Sequence, residues 1–372
     1  MKILQLIYEA PESPFGFGGA GVRAYEIYRR LSDRHDITLL SMKFPGAHDG
    51  DVDGIRRVFV GTESESLIRS VFSYVRKAVT YVRRHGDSFD VIVENFLPST
   101  PFFSRFLTKT PVLLQVQGIM EGHSLRKFNP LVSLPMFAVE WLYPKVHDRF
   151  IFVSEVTKRK VLGRAGDNVE SCAVIPNGIN DELLGTSGKG DGYILFMSRI
   201  DVYTKGLDLL AKAFEETGRA YPDSRLVLAG YQFDAFDGLV SKLSPAVRDR
   251  VSYAGFVTGE EKLRLLSGAE VFVLPSRHES SPISILEAAA CGKPVLVSDI
   301  PELAFVAEEG FGLSFRSGSV PDLAEKLDLL LRDESLRLRL GRQGKSYARN
   351  FSWDAIALRF EDALRDAAAS AR

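Results

Sequence analysis

Two cations and two carboxylates in the second half of the chain have types and spacings suited to chemistry. Ser198-Arg199-Ile200-Asp201 closes an apolar run, and Lys205-Gly206 follows, with the two cations six residues apart. A guanidinium grips phosphate oxygens in pairs and an ammonium adds a compact charge. At the carboxyl end of a strand, such a pair would neutralise a diphosphate as negative charge builds on it. A solvated surface pair is the plainer reading, and the strand-end location favours the first. Further on, His278-Glu279-Ser280-Ser281-Pro282-Ile283-Ser284-Ile285-Leu286-Glu287 follows the apolar run at 271–274. The pattern predicts Ser281 as a helix N-cap and Pro282 as the first helical residue. The amides of Ile283 and Ser284 would then face an anion. Glu279 precedes the helix and Glu287 lies about a turn and a half into it. The two carboxylates therefore reach different parts of one extended ligand and do not form a close acid–base dyad. Sugar hydroxyls at one end and ribose hydroxyls at the other are natural partners. Singly, each glutamate reads as a loop residue or as a carboxylate favoured by the helix dipole; with Arg199 and Lys205, they point to one site.

A second signal is Gly16-Phe17-Gly18-Gly19-Ala20-Gly21, between the first apolar run and the first helical pattern. Adjacent glycines allow a tight turn and close approach of backbone to ligand, and the helix that follows offers free amides. Contact of Gly18 or Gly19 with a phosphate or sugar and a plain strand-to-helix turn both stay open. The spacing matches G-x-G-x-x-G poorly, and no nearby Asp is placed for a ribose.

These residues need strand ends to sit on. Apolar runs at 3–7, 37–41, 91–93, 112–116 and 150–153 alternate with helical patterns at 21–32, 66–84 and 134–146. A second series has strands at 194–197, 225–229, 251–253, 271–274 and 295–297, with helices at 207–217, 260–267, 283–291 and 321–332. This alternation implies an α/β protein with two Rossmann-like parallel sheets, each covered on both faces. Their ligands bind at the carboxyl ends of strands, so a cleft between the halves is the natural site. The Gly- and Ser-rich stretch 180–192 reads as a hinge after the turn Pro176-Asn177-Gly178. Domains at 1–180 and 190–350 follow, with 351–372 a helix crossing back to the first. The helices at 335–347 and 353–369 add no strand and can pack across both halves.

The bulk properties restrict the partners. The 372 residues suffice for two cores. A net charge of −1 provides no global field for nucleic acid. The two cysteines, Cys172 and Cys291, suggest neither a disulfide framework nor a structural zinc site, and fit a reducing compartment. The N-terminus reads as a strand, not a signal peptide, and no apolar stretch reaches the ~20 residues of a membrane span. The expected location is the cytoplasm, with the inner face of a membrane as an option. That option rests on two segments. Residues 67–84 form an amphipathic pattern with a basic face, for which packing on the first sheet with a wet basic face is the favoured reading, and 128–143 is rich in apolar residues that read equally as core. Asp51-Val52-Asp53 is a D-x-D sequence of a metal–diphosphate type, but its Asp/Gly-rich setting predicts a solvated loop, and no metal is assigned.

The residues resemble a known family. The glycine loop, Val153-Ser154-Glu155, Ile175-Pro176-Asn177-Gly178-Ile179, Arg199 with Lys205-Gly206, and Ala254-Gly255-Phe256-Val257 all fit the retaining GT-B glycosyltransferases of family four (glycosyl transferases group 1). So do Glu279 with seven residues before Glu287, the run Leu286–Val295, and Phe351-Ser352-Trp353. The resemblance covers nearly the whole chain. It implies a nucleotide diphosphate sugar as co-substrate, UDP- or GDP-linked, with no cofactor and no obligatory metal. Arg199 and Lys205 would hold the diphosphate, Glu279 the donor-sugar hydroxyls, and Glu287 the ribose. Gly18 or Gly19 would approach from the other half. The acceptor would be a glycan or lipid-linked molecule in polysaccharide, glycolipid or glycoprotein assembly. Family members often carry a His after the strand matching 112–116; here it is Gln117, which can hydrogen-bond a sugar hydroxyl but cannot carry a proton. His123 is a substitute if its loop folds back. A non-catalytic sugar-nucleotide-binding subunit and a nucleotide-sugar epimerase are the alternatives.

Overall fold

The computed structural model describes residues 1–122, 129–165, 169–186, 190–232 and 237–370. The chain forms two compact units, one of Met1–Asn177 with the C-terminal segment from Trp353, the other of Gly178–Ser352.

The first unit is built on a sheet of β1 (Lys2–Leu6), β2 (Asp36–Met42), β3 (Gly50–Val52), β4 (Ile55–Val60), β5 (Val91–Asn95), β6 (Val112–Val116), β7 (Arg149–Phe152) and β8 (Ser171–Val174). Its order is β3-β4-β2-β1-β5-β6-β7-β8. Every pair is parallel except the β3–β4 hairpin. The central strands read as near-continuous apolar runs because both faces are covered. On one face, Leu4, Leu6, Ile92 and Val112 pack with Tyr74, Ala78 and Val82 of α2 (Leu67–His85). Leu114 and Val116 pack with Tyr143, which follows α3 (Pro130–Leu142). On the other face, Tyr28 of α1 (Gly19–Leu31) hydrogen-bonds the Gln5 side chain at 2.9 Å. A fourth helix, α4 (Glu155–Leu162), follows β7, capped by Ser154.

The D-x-D segment is not a loop. Val52 pairs with Ile55, so Asp53-Gly54 is a two-residue hairpin turn. Asp53 and Gly54 have φ of 53° and 73°, the left-handed pair that a type I′ turn requires. The Asp53 carboxylate accepts the Tyr25 hydroxyl.

The second unit is an all-parallel sheet of order β11-β10-β9-β12-β13-β14. Its strands are β9 (Tyr193–Met197), β10 (Arg225–Ala229), β11 (Val251–Tyr253), β12 (Ala269–Leu274), β13 (Val295–Ser298) and β14 (Gly312–Phe315). Its longer helices are α5 (Leu207–Thr217), α6 (Gly259–Gly268), α7 (Ile283–Ala290), α8 (Val320–Arg332) and α9 (Glu334–Ala348). α9 belongs wholly to this unit. A Cβ on Gly341 would lie 2.0 Å from the Gly292 carbonyl oxygen, so only glycine lets α9 approach the end of α7.

The final helix, α10 (Trp353–Ala369), belongs to the first unit, where it packs on α1 and against β5 and β6. Trp353, Ile356, Phe360 and Leu364 form its buried stripe, with Phe360 edge-on to Tyr28 at 5.8 Å. Glu361 accepts from His35 at 2.8 Å and pairs with Arg34 at 2.7 Å.

The units part between Asn177 and Gly178, ahead of the expected hinge at 180–192. Residues 181–185 form a 3-10 turn with Leu183 buried, and the Thr186 carbonyl accepts Lys345 Nζ at 2.6 Å. The described part of the glycine-rich stretch is therefore packed, because Leu183 supplies an anchor that its composition hid.

Candidate functional site

The second unit gathers the cations and carboxylates at the carboxyl ends of β9 and β12. Gly206 makes this possible. It caps α5 in the left-handed region at φ 68°, and a Cβ there would lie 2.0 Å from the Pro275 carbonyl oxygen, just past β12. Lys205 is thereby pressed against the loop leaving β12. Its Nζ lies 2.5 Å from Glu279 Oε1, and Ser276 Oγ donates to the same oxygen at 2.8 Å. Ser276 is itself held, since its carbonyl accepts Ser298 Oγ at 2.7 Å.

Arg277 locks the two loops together. Its amide donates to the Thr204 carbonyl at 2.9 Å, and its guanidinium forks onto Asp208 with two bonds of 2.7 Å. The Asp208 hydrogen bond raises the Arg277 pKa further, and the side chain lies over the Tyr203 ring at 4.6 Å.

Arg199 stands at the end of β9 with a half-exposed guanidinium 3.5 Å from the Asp201 carboxylate. The β9 and β10 ends are close: a Cβ on Gly230 would lie 1.9 Å from the Ser198 carbonyl oxygen, and Gly230 N donates to the Gly255 carbonyl at 2.7 Å. Glu287 is buried on α7, and its Oε1 meets Lys262 Nζ of α6 at 2.6 Å. Each carboxylate thus has a lysine of its own.

The start of α7 differs by one residue from the sequence expectation. Pro282, with φ −71° and ψ 117°, occupies the cap position, and Ile283 begins the helix. Ser281 is not the N-cap, because proline's fixed φ suits the extended cap as well as the first helical turn. Ile283 and Ser284 remain in that turn, where amides have no intrahelical acceptor.

Gly18, Gly19 and Gln117 lie in the first unit. Gly18 caps α1 and Gly19 begins it, but an internal anion is already there. Glu9 Oε2 accepts Gly18 N at 3.1 Å and Gly21 N at 2.6 Å. A phosphate reaching for these amides would have to displace the Glu9 carboxylate. Gln117 Nε2 donates to Asn95 Oδ1 at 3.1 Å, and Gln115 Nε2 donates to the same oxygen at 3.2 Å. His123 lies outside the described residues.

Sequence reasoning missed Lys262, Glu9, Asn95 and the Arg277–Asp208 fork. The Asx and Glu residues at strand ends were the available signal for Glu9 and Asn95. Nothing in the sequence pairs Lys262 with a residue on another helix. Among the described residues, no group of three or more His, Cys, Asp or Glu side chains is gathered to hold a metal.

Two sequence-family models match the chain almost end to end: Glycosyltransferase Family 4 over residues 17–183 and Glycosyl transferases group 1 over residues 185–347. The chain belongs to the family-four glycosyltransferases of the GT-B fold, two Rossmann-like domains with a helical C-terminus.

Phosphatidyl-myo-inositol mannosyltransferase from Mycobacterium tuberculosis is 27% identical over 292 residues, covering 73% of this chain and 72% of that protein. The N,N'-diacetylbacillosaminyl-diphospho-undecaprenol alpha-1,3-N-acetylgalactosaminyltransferase of Campylobacter jejuni is 28% identical over 61% of this chain and 64% of its own length. Among solved structures, sucrose-phosphate synthase from Thermosynechococcus elongatus superposes with a TM-score of 0.81 at 21% identity, covering 99% of each chain. HepE from Anabaena, solved with UDP and glucose, has a TM-score of 0.76 at 18% identity, covering 98% of this chain and 100% of its own. At these identities the structural likeness concerns the fold.

Proposed function

We propose that the chain is a retaining, metal-independent glycosyltransferase that moves a sugar from a UDP- or GDP-linked donor to a glycan or lipid-linked acceptor. The single observation that carries the reading is the Lys205–Glu279 pair at 2.5 Å on the carboxyl edge of the second sheet, with Arg199 on the same loop after β9 that carries Lys205. A diphosphate entering there offers Lys205 a new counter-ion, which leaves Glu279 Oε1 to accept donor-sugar hydroxyls. Arg199 and Lys205 then balance the charge that grows on the diphosphate as its bond to the anomeric carbon breaks. They supply this positive charge from side chains, which is the basis for proposing no metal. The acceptor oxygen adds on the face the diphosphate leaves, and its proton passes to a phosphate oxygen of the leaving group. Glu287 holds the ribose and is itself oriented by Lys262.

The activities of the mannosyl- and N-acetylgalactosaminyltransferase relatives support a lipid-linked acceptor. No helix among the described residues is long and apolar enough to cross a membrane. We accordingly place the enzyme in the cytoplasm, with peripheral contact at the inner face of the membrane.

The test is a thermal-shift screen against UDP, GDP, ADP and their sugars, with and without EDTA, followed by donor turnover. Selective stabilisation by one nucleotide that survives EDTA and is lost in Arg199→Ala with Lys205→Ala supports the reading. No stabilisation by any nucleotide sinks it. Binding without turnover in the presence of candidate acceptors would favour a non-catalytic donor-binding subunit, and turnover without an acceptor would favour an epimerase.

A further inference from the structure

Helix α3 is inside out. Its fully buried side chains are the polar Ser133 and Glu140, and Val139 packs partly on the core, while most of its other apolar residues face solvent. Leu131 is 85% exposed and Leu134 59%, with Val132, Phe137, Trp141 and Leu142 also exposed. Glu140 sets this orientation. Its carboxylate accepts the amides of Met120 at 2.6 Å and Glu121 at 2.8 Å and pairs with Arg164 at 3.4 Å. Rolling the helix to bury its leucines would break all three contacts and strand a charge. Between Pro130 and Pro144 Glu140 is the only charged residue, so the exposed face is neutral throughout.

The neighbouring elements extend this surface. Val112, Leu114 and Val116 alternate onto one face of β6; the first packs under α2 and the other two with Tyr143 after α3. α2 and α3 therefore cover the same face of the sheet. The loop from β5 to β6 joins them, with Phe102 edge-on to Tyr74 of α2 at 5.4 Å and Phe103 against Tyr143 at 4.8 Å. Phe103 has φ of 53°, a left-handed conformation rare for an aromatic residue, and its amide donates to the Tyr143 hydroxyl at 2.7 Å. This conformation presents Phe103 and Phe106 to solvent. α2 adds Phe72, 78% exposed, and Ile68, with Arg69, Arg76, Lys77, Arg83 and Arg84 exposed along the helix. None of these five cations has an ion-pair partner among the described residues. The opposite face differs: α1 and α10 together expose one large apolar side chain, Leu358.

We propose that the α2–α3 face of the first unit docks on a bilayer containing anionic lipids. The apolar side chains of α3 and Phe106 enter the boundary between headgroups and acyl chains, while the α2 cations meet lipid phosphates. An uncharged apolar stripe with unpaired cations beside it is the composition of an interfacial membrane surface. Trp141 lies beneath Lys145 Nζ at 3.3 Å from its ring centre, an amphipathic aromatic with a cation able to reach back to the headgroups. A second copy docking through the same face would bring the cations of both α2 helices into one interface. The surface names where the proposed membrane contact lies, and it stands whether or not the donor site turns over.

Flotation of the full chain with vesicles of phosphatidylglycerol and phosphatidylcholine tests the proposal, with pure phosphatidylcholine as the control. The chain has two tryptophans, Trp141 exposed and Trp353 buried, so Trp141 is a built-in reporter. The expected result is flotation with the anionic vesicles and quenching of Trp141 by nitroxide-labelled lipid. Leu131→Asp with Leu134→Asp should lower partitioning roughly tenfold or more for each leucine. Arg76→Glu with Lys77→Glu should weaken it most at low salt. All four positions are exposed, so both variants should melt as the parent does and keep its nucleotide response. Absence of flotation by the parent chain, or unchanged flotation of the leucine variant, overturns the proposal. A parent dimer that the leucine variant converts to monomers, without flotation, assigns the face to a second copy instead.

Discussion

Lys205 and Glu279 are each other's counter-ion, and Glu279 is only 7% exposed. Removing one partner leaves the other nearly buried and unpaired. Lys205→Ala should abolish both nucleotide-induced stabilisation and turnover, whereas Glu279→Gln should keep the stabilisation and lower kcat by about 10²–10³; thermal shift with steady-state kinetics separates the two. Lys262→Met should raise the nucleotide Kd about tenfold, the cost of one lost charge-assisted bond to Glu287, with kcat little changed. Lys262→Arg should restore binding, and a parallel fall in kcat would count against a positioning role. His147 bears on stability instead. Its ring nitrogens are buried with no hydrogen-bond partner, and burial, aided by the Arg105 charge, pushes its pKa from 6.5 to about 3. The folded pKa lies below the unfolded one, so the unfolded chain binds the extra proton. Stability should fall as pH drops through 6.5 towards 3, by up to about 1.4 kcal/mol per pH unit from this group. His147→Phe should flatten that acid limb while leaving the fold intact at neutral pH, as read by denaturant melts at pH steps. The four residues proposed for the donor site stand out in the sequence because each belongs to a short local pattern at a strand end. Lys262, Glu9 and Asn95 do not, because their roles come from side chains on other elements.

At the scale of elements, glycine geometry and helix orientation decide where these residues sit. Gly206→Ala would force a Cβ against the Pro275 carbonyl and leave a non-glycine residue in the left-handed region. The backbone term alone is about 1–2 kcal/mol. A larger loss in nucleotide response than in melting temperature would show that Lys205 has moved. The Asp53-Gly54 hairpin has the Asp-Gly signature between Val52 and Ile55, but β3 has only three residues and Arg56-Arg57 interrupt the apolar run of β4, so the flanking strands do not stand out in the sequence. The strands β8 (Ser171-Cys172-Ala173-Val174) and β14 (Gly312-Leu313-Ser314-Phe315) lack the run of large or β-branched apolar residues that marks β7 and β13, which are as short. α3 was recognised as apolar, but its direction was not, because hydrophobicity says which residues seek burial and nothing about a glutamate that finds two backbone amides first.

At the scale of the whole molecule, the first unit is discontinuous in sequence. α10 comes from the end of the chain and covers α1, closing over Arg23, which lies fully buried with its NH1 donating to the Pro176 carbonyl at 2.6 Å and to Asn177 Oδ1 at 3.1 Å. Desolvation lowers the Arg23 pKa to about 9, and its guanidinium lies over the Phe360 ring at 5.8 Å. A chain ending at Ser352 should expose this face. Its first unit should become sensitive to limited proteolysis and aggregate, while nucleotide binding by the second unit persists. Equal protease resistance of the two units would contradict that dependence.

The amino-acid sequence by itself determined the α/β class, the two-sheet plan, the family and the four residues proposed to hold the donor. These are carried by local alternation and by short motifs whose side chains act near where they are written. Tertiary structure alone decided which lysine faces which glutamate, that Glu9 fills the glycine loop, that the C-terminal helix completes the first unit and that α3 turns its leucines outward. Each of these depends on a partner distant in sequence, and the energy that selects it appears only when the two are brought together.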